Sequence, residues 1–194
     1  MTRVLVDPGD AAFSAPSKPI GPVLAAPPAT GHALPTPDGR GWRRAVASPR
    51  PSAVLELDSI RALLGSRHVV AGGGGGIPLA GDTAKRLPCA AVIDKDWVAA
   101  LLAIALDATS LIFVTDIPHA FDDLAGPAPR PIRLMTAGEA RAALARGAFP
   151  PGSMGPKVES AVDFVLATRR PAVITTIGQI RAALQRHAGT TVVP

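Results

Sequence analysis

Four lysines stand among sixteen arginines in this sequence of 194 residues, at positions 18, 85, 95 and 157. Where a cation merely has to be solvated the chain nearly always carries arginine, so the lysines mark places where a compact, rotatable ammonium is needed instead of a planar fork. Two of them occupy matching contexts. In "AVIDKDWVAALLAIALDA", Asp94 is a plausible N-cap, Asp96 falls in the first turn, and the apolar run predicts a helix over 95–106 that opens on Lys95. In "GSMGPKVESAVDFVLATRR", Gly152, Gly155 and Pro156 lead into a helix predicted over 157–168, again with a lysine, Lys157, in its first turn. Unpaired N–H groups and the macrodipole already favour an anion at a helix start, so a cation there is out of place unless an anion joins it. Ammonium and backbone amides around one phosphate chain supply the charge stabilisation that phosphoryl transfer requires. Asp94 and Asp96 are placed to hold Lys95. A solvated helix end accounts for one such lysine, but a matched pair in a lysine-poor chain points to phosphate chemistry.

A third feature is "HVVAGGGGGIPL" over 68–79. Both flanks of its five glycines are apolar, unlike those of a Gly/Ser linker, and the entry reads as a buried strand over 67–71. Glycines after a strand free the backbone for close approach, either to a phosphate or to a neighbouring segment in a packing turn. The run by itself leaves both open.

The elements that must position these residues alternate. A helix is expected over 58–64, capped by Asp58 and ended by Gly65, followed by the strand at 67–71. After the Lys95 helix come a buried strand over 110–116 ("SLIFVTD") and a helix that opens on a Thr136/Glu139 capping box and closes at Gly147. After the Lys157 helix come a strand in "AVITT", a helix over 178–186 and a final strand in "TTVV". This order predicts an α/β fold with a largely parallel sheet flanked by helices, the pairing sense of the last strand being open. Ten of the twenty-one prolines fall in residues 1–51, which show no sustained period. The expected division is therefore a loop-rich segment, 1–51, and an α/β lobe, 52–194.

With 47% hydrophobic residues and a mean hydropathy of +0.28, the chain can bury a core. It has no apolar run long enough for a membrane span and no secretory leader pattern at its N-terminus, so a soluble cytoplasmic protein is expected. The single Cys89 rules out an intrachain disulfide framework and a thiol cluster for zinc, and reads as a small buried residue. Net charge is +5 and the pI is near 10.3, but the cations are scattered and tyrosine is absent, which argues against nucleic acid. His119 reads as a surface histidine, Arg43 and Arg44 beside Trp42 as part of a packed hairpin, and Glu139, Glu159 and Asp163 as solvated faces.

In order along the chain, "SKPIGP" (17–22), "GRGWRR" (39–44), "AGGGGGIPL" (71–79), "AVIDKD" (91–96), "TD" (115–116) and "GSMGPKVESA" (152–161) resemble the carbamate kinase branch of the amino acid kinase family. The resemblance implies that family's three-layer α/β fold and reversible phosphoryl transfer between ATP and carbamate, with ADP and carbamoyl phosphate as the other pair. Magnesium assists, and in arginine fermentation the reaction runs toward ATP. Carried over by residue, Lys95 and Lys157 contact the nucleotide phosphates and the transferred group, Asp96 orients the lysines, and Lys18 reaches the site from a protruding flap. Thr115, Asp116, Ser153, Met154 and Gly155 line the nucleotide pocket, Gly73, Gly74 and Gly75 form an active-site loop, and no side chain is assigned to a metal. Nothing in these residues resembles the family's "GGNAL" loop, which belongs to an N-terminal lobe and cradles carbamate and the transferred phosphate. The resemblance therefore implies a homo-oligomer, a dimer in particular, or pairing with such a lobe. Departures are a short Pro/Ala-rich flap between Gly21 and Gly39, Ala90 ahead of "AVIDKD", and Pro118 with His119 in "TDIPHAF".

Overall fold

The computed structural model describes residues 1–81, 85–122 and 129–194. It divides into two compact units, Met1–Val98 and Ala99–Pro194. The boundary falls inside a helix, and each unit is built on its own four-stranded sheet.

The first unit runs β1 (Arg3–Val6), a 3-10 turn (Ala11–Phe13), β2 (Lys18–Leu24), β3 (His32–Pro35), β4 (Trp42–Val46) and β5 (Pro51–Val54). It continues with α1 (Leu57–Leu64), β6 (Ile77–Gly81), β7 (Arg86–Pro88) and the opening of α2 (Lys95–Ala105). Much of 1–51 is thus strand, not loop. Its prolines do not prevent this, because those inside strands lie on edges: Pro19 and Pro22 on β2, Pro35 on β3 and Pro51 on β5. In the antiparallel order β2-β4-β3, the proline-free β4 takes the centre, so Trp42, Arg43 and Arg44 belong to a paired strand. The second sheet has the order β5-β1-β6-β7, with β1 parallel to β6 and antiparallel to β5. Val4, Val6, Val54, Ile60 and Leu79 are buried in this unit. Each buried aliphatic side chain of this size stabilises by about 1.5–3 kcal/mol relative to its exposed state.

The strand expected over 67–71 does not form, and Val70 is 99% exposed. The strand comes after the glycines instead, as β6. Here β1 offers a complete ladder partner, whereas Gly72, Gly73, Gly75 and Gly76 have positive φ and end any extended run before them. Thr2 fixes the turn at both ends: the Gly72 N–H donates to its Oγ1 at 3.0 Å and the Ile77 N–H to its carbonyl at 2.9 Å. Close approach is thus real, and at Gly75 it is to the protein's own backbone. A Cβ on Gly75 would lie 2.2 Å from the Ile93 carbonyl oxygen, in a backbone at φ +117°, whereas one on Gly74 would meet nothing within 4 Å. Gly75→Ala should therefore destabilise the fold by roughly 2–4 kcal/mol, while Gly74→Ala stays within about 0.5 kcal/mol of wild type. Urea unfolding of the two variants checks this pair.

The second unit comprises the rest of α2, then β8 (Leu111–Val114), β9 (Ala120–Asp122), β10 (Arg130–Ile132), β11 (Leu134–Thr136), α3 (Ala137–Ala145) and α4 (Met154–Thr168). It ends with β12 (Ala172–Thr175), a 3-10 turn (Ile177–Gln179), α5 (Ile180–Leu184) and β13 (Thr190–Val193). The sheet order is β11-β13-β12-β8. Its core joins Phe113 and Ile174 from the sheet to Val158, Phe164 and Val165 of α4 and Ala140 of α3. The capping box forms as expected: Thr136 Oγ1 accepts from the Glu139 N–H and Glu139 accepts from the Thr136 N–H, holding the Glu139 carboxyl below its ordinary pKa. Thr136→Ala should cost about 1 kcal/mol, read by chemical denaturation.

The α/β class stands, but the parallel bias does not. In the two four-stranded sheets, β1/β6, β11/β13 and β12/β8 are parallel, and β1/β5, β6/β7 and β12/β13 are antiparallel. The β6–β7 link is too short for a parallel crossover, whereas the β12–β13 link, residues 176–189 with α5 inside it, is long enough for one, and those strands nevertheless pair antiparallel.

Candidate active site

In the first unit the chemistry gathers at the start of α2. The chain reaches it through a parallel bridge between Ala47 and Ala91, the Val92 N–H donating to the Ala47 carbonyl, and the close packing of Gly75 on Ile93. Trp97, in the first turn, lies beneath the Arg50 guanidinium, 5.0 Å from the ring centroid. Asp94 caps the helix, its Oδ1 accepting the Asp96 N–H at 2.9 Å.

The sequence places Asp94 and Asp96 around Lys95. Asp96 does meet it, at 3.8 Å, but the second oxygen of Asp94 accepts from Lys18 Nζ at 2.6 Å. Lys18 and Asp94 are 76 positions apart, and nothing local in the sequence signals their pairing. Asp94 and Asp96 are buried, Lys18 is mostly covered, and Lys95 presents 59% of its side chain to solvent. The site thus offers one exposed ammonium and one held ammonium on a capped helix start. Burial pushes the Asp94 carboxyl up, but the Lys18 hydrogen bond, the Asp96 amide and the charges of Lys18 and Lys95 outweigh it and hold the group below its ordinary value. A depressed folded pKa contributes stability that is present above the ordinary carboxylate range and is lost as pH falls through the folded value. Acid titration of the melting temperature should accordingly show a smaller loss in Asp94→Asn than in the wild type.

In the second unit, α4 is followed after a short turn by β12, against which it packs, so the two run in opposite directions. The α4 start therefore lies toward the C-terminal ends of β12 and its parallel neighbour β8, the end of an open α/β sheet where ligands bind. Thr115 and Asp116 follow β8 there. The Thr115 N–H donates to the Thr175 carbonyl at 2.9 Å, and its hydroxyl donates to Asp116 at 3.1 Å. The α4 helix begins at Met154, earlier than the sequence suggests, because the Gly155 N–H donates to the Pro150 carbonyl and draws the turn into the helix. Ser153 is exposed, Met154 and Gly155 are buried, and Lys157 is only 8% exposed. A lysine so covered in a first turn is not a solvated helix end.

Gly73 and Gly74 are exposed and Gly75 is buried. Glu159 and Asp163 are half-buried, not on a fully solvated face. His119 is also half-buried: its Nδ1–H donates to the Gly189 carbonyl at 2.8 Å and its ring meets Phe121 edge-on, so it fastens β9 to the approach of β13. Cys89 is half-buried, and burial pushes its thiol pKa up, away from nucleophilic character. The described residues contain no group of three or more His, Cys, Asp or Glu side chains that could hold a metal, and no helix long and apolar enough to cross a membrane.

Residues 16–176, which include nearly all of these positions, match the model of the amino acid kinase family. The chain belongs to the amino acid kinase family. Among its relatives, carbamate kinase from Escherichia coli O6:H1 is 40% identical over 198 residues, covering 98% of this chain and 64% of the relative. Carbamate kinase from Lentilactobacillus hilgardii is 36% identical over 200 residues, covering 99% and 63%. The solved structure of carbamate kinase from Giardia lamblia bound to AMP-PNP superposes with a TM-score of 0.86 at 34% identity, covering 99% of this chain and 63% of that one. This amino acid kinase family chain thus spans just under two thirds of the length of the carbamate kinases it matches, and shares their α/β fold.

Proposed function

We propose that the chain is the nucleotide-binding portion of a carbamate kinase, acting in reversible phosphoryl transfer between ATP and carbamate. The observation that carries this reading is the buried Lys157 at the start of α4, on the ligand-binding end of the second unit's sheet, within the segment that matches the family. The Giardia lamblia relative holds an ATP analogue, which supports ATP and ADP as the nucleotides.

In this reading the second unit carries the nucleotide site. Thr115, Asp116 and the Ser153-Met154-Gly155 turn line it, and Lys157 meets the nucleotide phosphates. In the first unit, Lys95 offsets charge on the transferred group, Asp96 orients Lys95, Lys18 acts from the β2-β4-β3 sheet, and residues 73–75 form an active-site loop. These groups bind and stabilise charge. None is asked to move a proton, since transfer to a carbamate oxygen needs no strong base. The described carboxylates do not form a magnesium cage, with Asp94 and Asp96 facing lysines, so magnesium would enter on the nucleotide's own phosphates, where it neutralises charge.

Calorimetry with ADP, with and without magnesium, tests the proposal on the chain as it stands. Magnesium-sensitive binding of ADP is expected, and no binding under either condition would overturn it. The third of the relatives' length that is not matched here leaves a second reading, a nucleotide-binding protein without turnover, which the transfer assay discussed below separates from the first.

A further inference from the structure

We infer that Asp94 is the positioning residue for Lys18: by accepting one N–H of its ammonium, it fixes that ammonium at the first turn of α2 and leaves two donors for an anionic phosphoryl ligand. This deepens the proposed phosphotransferase reading and rests on it for the identity of the ligand.

Lys18 opens β2, an edge strand of the three-stranded sheet, and without a partner its four-carbon stem would be free to sample many rotamers. The 2.6 Å contact with Asp94 removes that freedom. Asp94 is suited to the task because its other oxygen is already committed to the Asp96 amide at 2.9 Å, which sets the orientation of the carboxylate relative to the helix. The pair is well covered, with side-chain exposures of 24% for Lys18 and 5% for Asp94, so solvent competes poorly for the bond.

The same geometry explains why one of only four lysines stands at position 18 in a chain that otherwise uses arginine. A guanidinium grips both oxygens of a carboxylate, and here it would compete with the Asp96 amide for the capping oxygen. An ammonium takes a single oxygen, spares the cap and keeps two donors, of the three it has, for a ligand. Asp94 thereby serves the helix start and Lys18 at once.

With only four lysines, the chain labelled with carbon-13 at the lysine ε position gives four methylene signals, assignable through single Lys→Arg variants. In the wild type the two ε protons of Lys18 should be inequivalent, as in a fixed side chain. In Asp94→Asn they should merge, with the signals of Lys85 and Lys157 unmoved. Asp94→Glu should restore part of the inequivalence. With inorganic phosphate as the probe, the Lys18 signal should shift with a midpoint about tenfold lower in the wild type than in Asp94→Asn, because a preorganised ammonium binds at less cost. An unchanged Lys18 signal in folded Asp94→Asn, an equal phosphate midpoint, or no phosphate shift at Lys18 in the wild type would each overturn the inference. Should Asp94→Asn fail to fold, Lys18→Met reads the pair from the other side: the Asp94 carboxyl titration must then move to higher pH, and no movement overturns it. Adding ADP to the same wild-type sample keeps the two readings apart. An unmoved Lys157 signal counts against the nucleotide site, and the Lys18 result stands or falls by itself.

Discussion

Assayed alone with ADP and carbamoyl phosphate, the 194-residue polypeptide should form ATP at a rate close to background even where it binds ADP well. Transfer requires nucleophile, phosphoryl group and leaving oxygen to be held nearly in line, and such alignment accounts for roughly 7–11 kcal/mol of barrier lowering. The matched carbamate kinases are about half as long again as this chain, which covers 64% of the Escherichia coli relative. The family's acceptor cradle, the "GGNAL" loop, has no counterpart among these residues. Adding a polypeptide that supplies the unmatched third of the relative, including that loop, should restore turnover. Lys95→Ala should then abolish the restored activity, since the exposed Lys95 ammonium is the group assigned to offset charge on the transferred phosphoryl. A coupled ATP-formation assay with and without the added polypeptide makes the measurement. Robust turnover by the chain alone would show that an acceptor site is built from residues assigned here to structure, with the exposed Gly73 and Gly74 the first to test.

The second large effect is expected at Lys157. Replacing it with alanine should weaken ADP binding by about 10- to 150-fold, the loss of one charge-assisted contact worth about 1.5–3 kcal/mol. The position makes the contact effective: α4 presents its backbone N–H groups at the same end, and the lysine's low exposure shields its ammonium from bulk water. Because α4 also carries Val158, Phe164 and Val165 into the second unit's core, the variant must be shown to fold by its circular dichroism and unfolding curve. Equal ADP affinity in wild type and a folded Lys157→Ala would remove Lys157 from the site.

Local signals in the sequence carried the elements whose stability is itself local. The Thr136/Glu139 capping box, the α2 start at Lys95 with Asp94 as its cap, and the Gly65 end of α1 all follow from hydrogen bonds made within a few residues. The ordered motifs, with lysines scarce enough for Lys95 and Lys157 to stand out, point to the family from the sequence alone. Tertiary structure decided what depends on distant partners. A β-branched run at 67–71 has strand propensity, but a strand needs a neighbour, and β1 pairs instead with the residues after the glycines. The glycine run could serve a phosphate or a packing turn, and only the Ile93 carbonyl 2.2 Å from a would-be Cβ shows that Gly75 answers to the backbone. Strand sense in the two sheets was equally invisible, because periodicity along one strand does not name its neighbour. Asp94 is the sharpest case: its sequence neighbours make it a cap for the lysine beside it, but its second oxygen belongs to a lysine 76 residues away, brought there by β2 pairing with β4 and by the Ala47–Ala91 bridge. A side chain's local role is set by the backbone it adjoins, whereas its charge partner is set by whichever segment the sheet returns to that point.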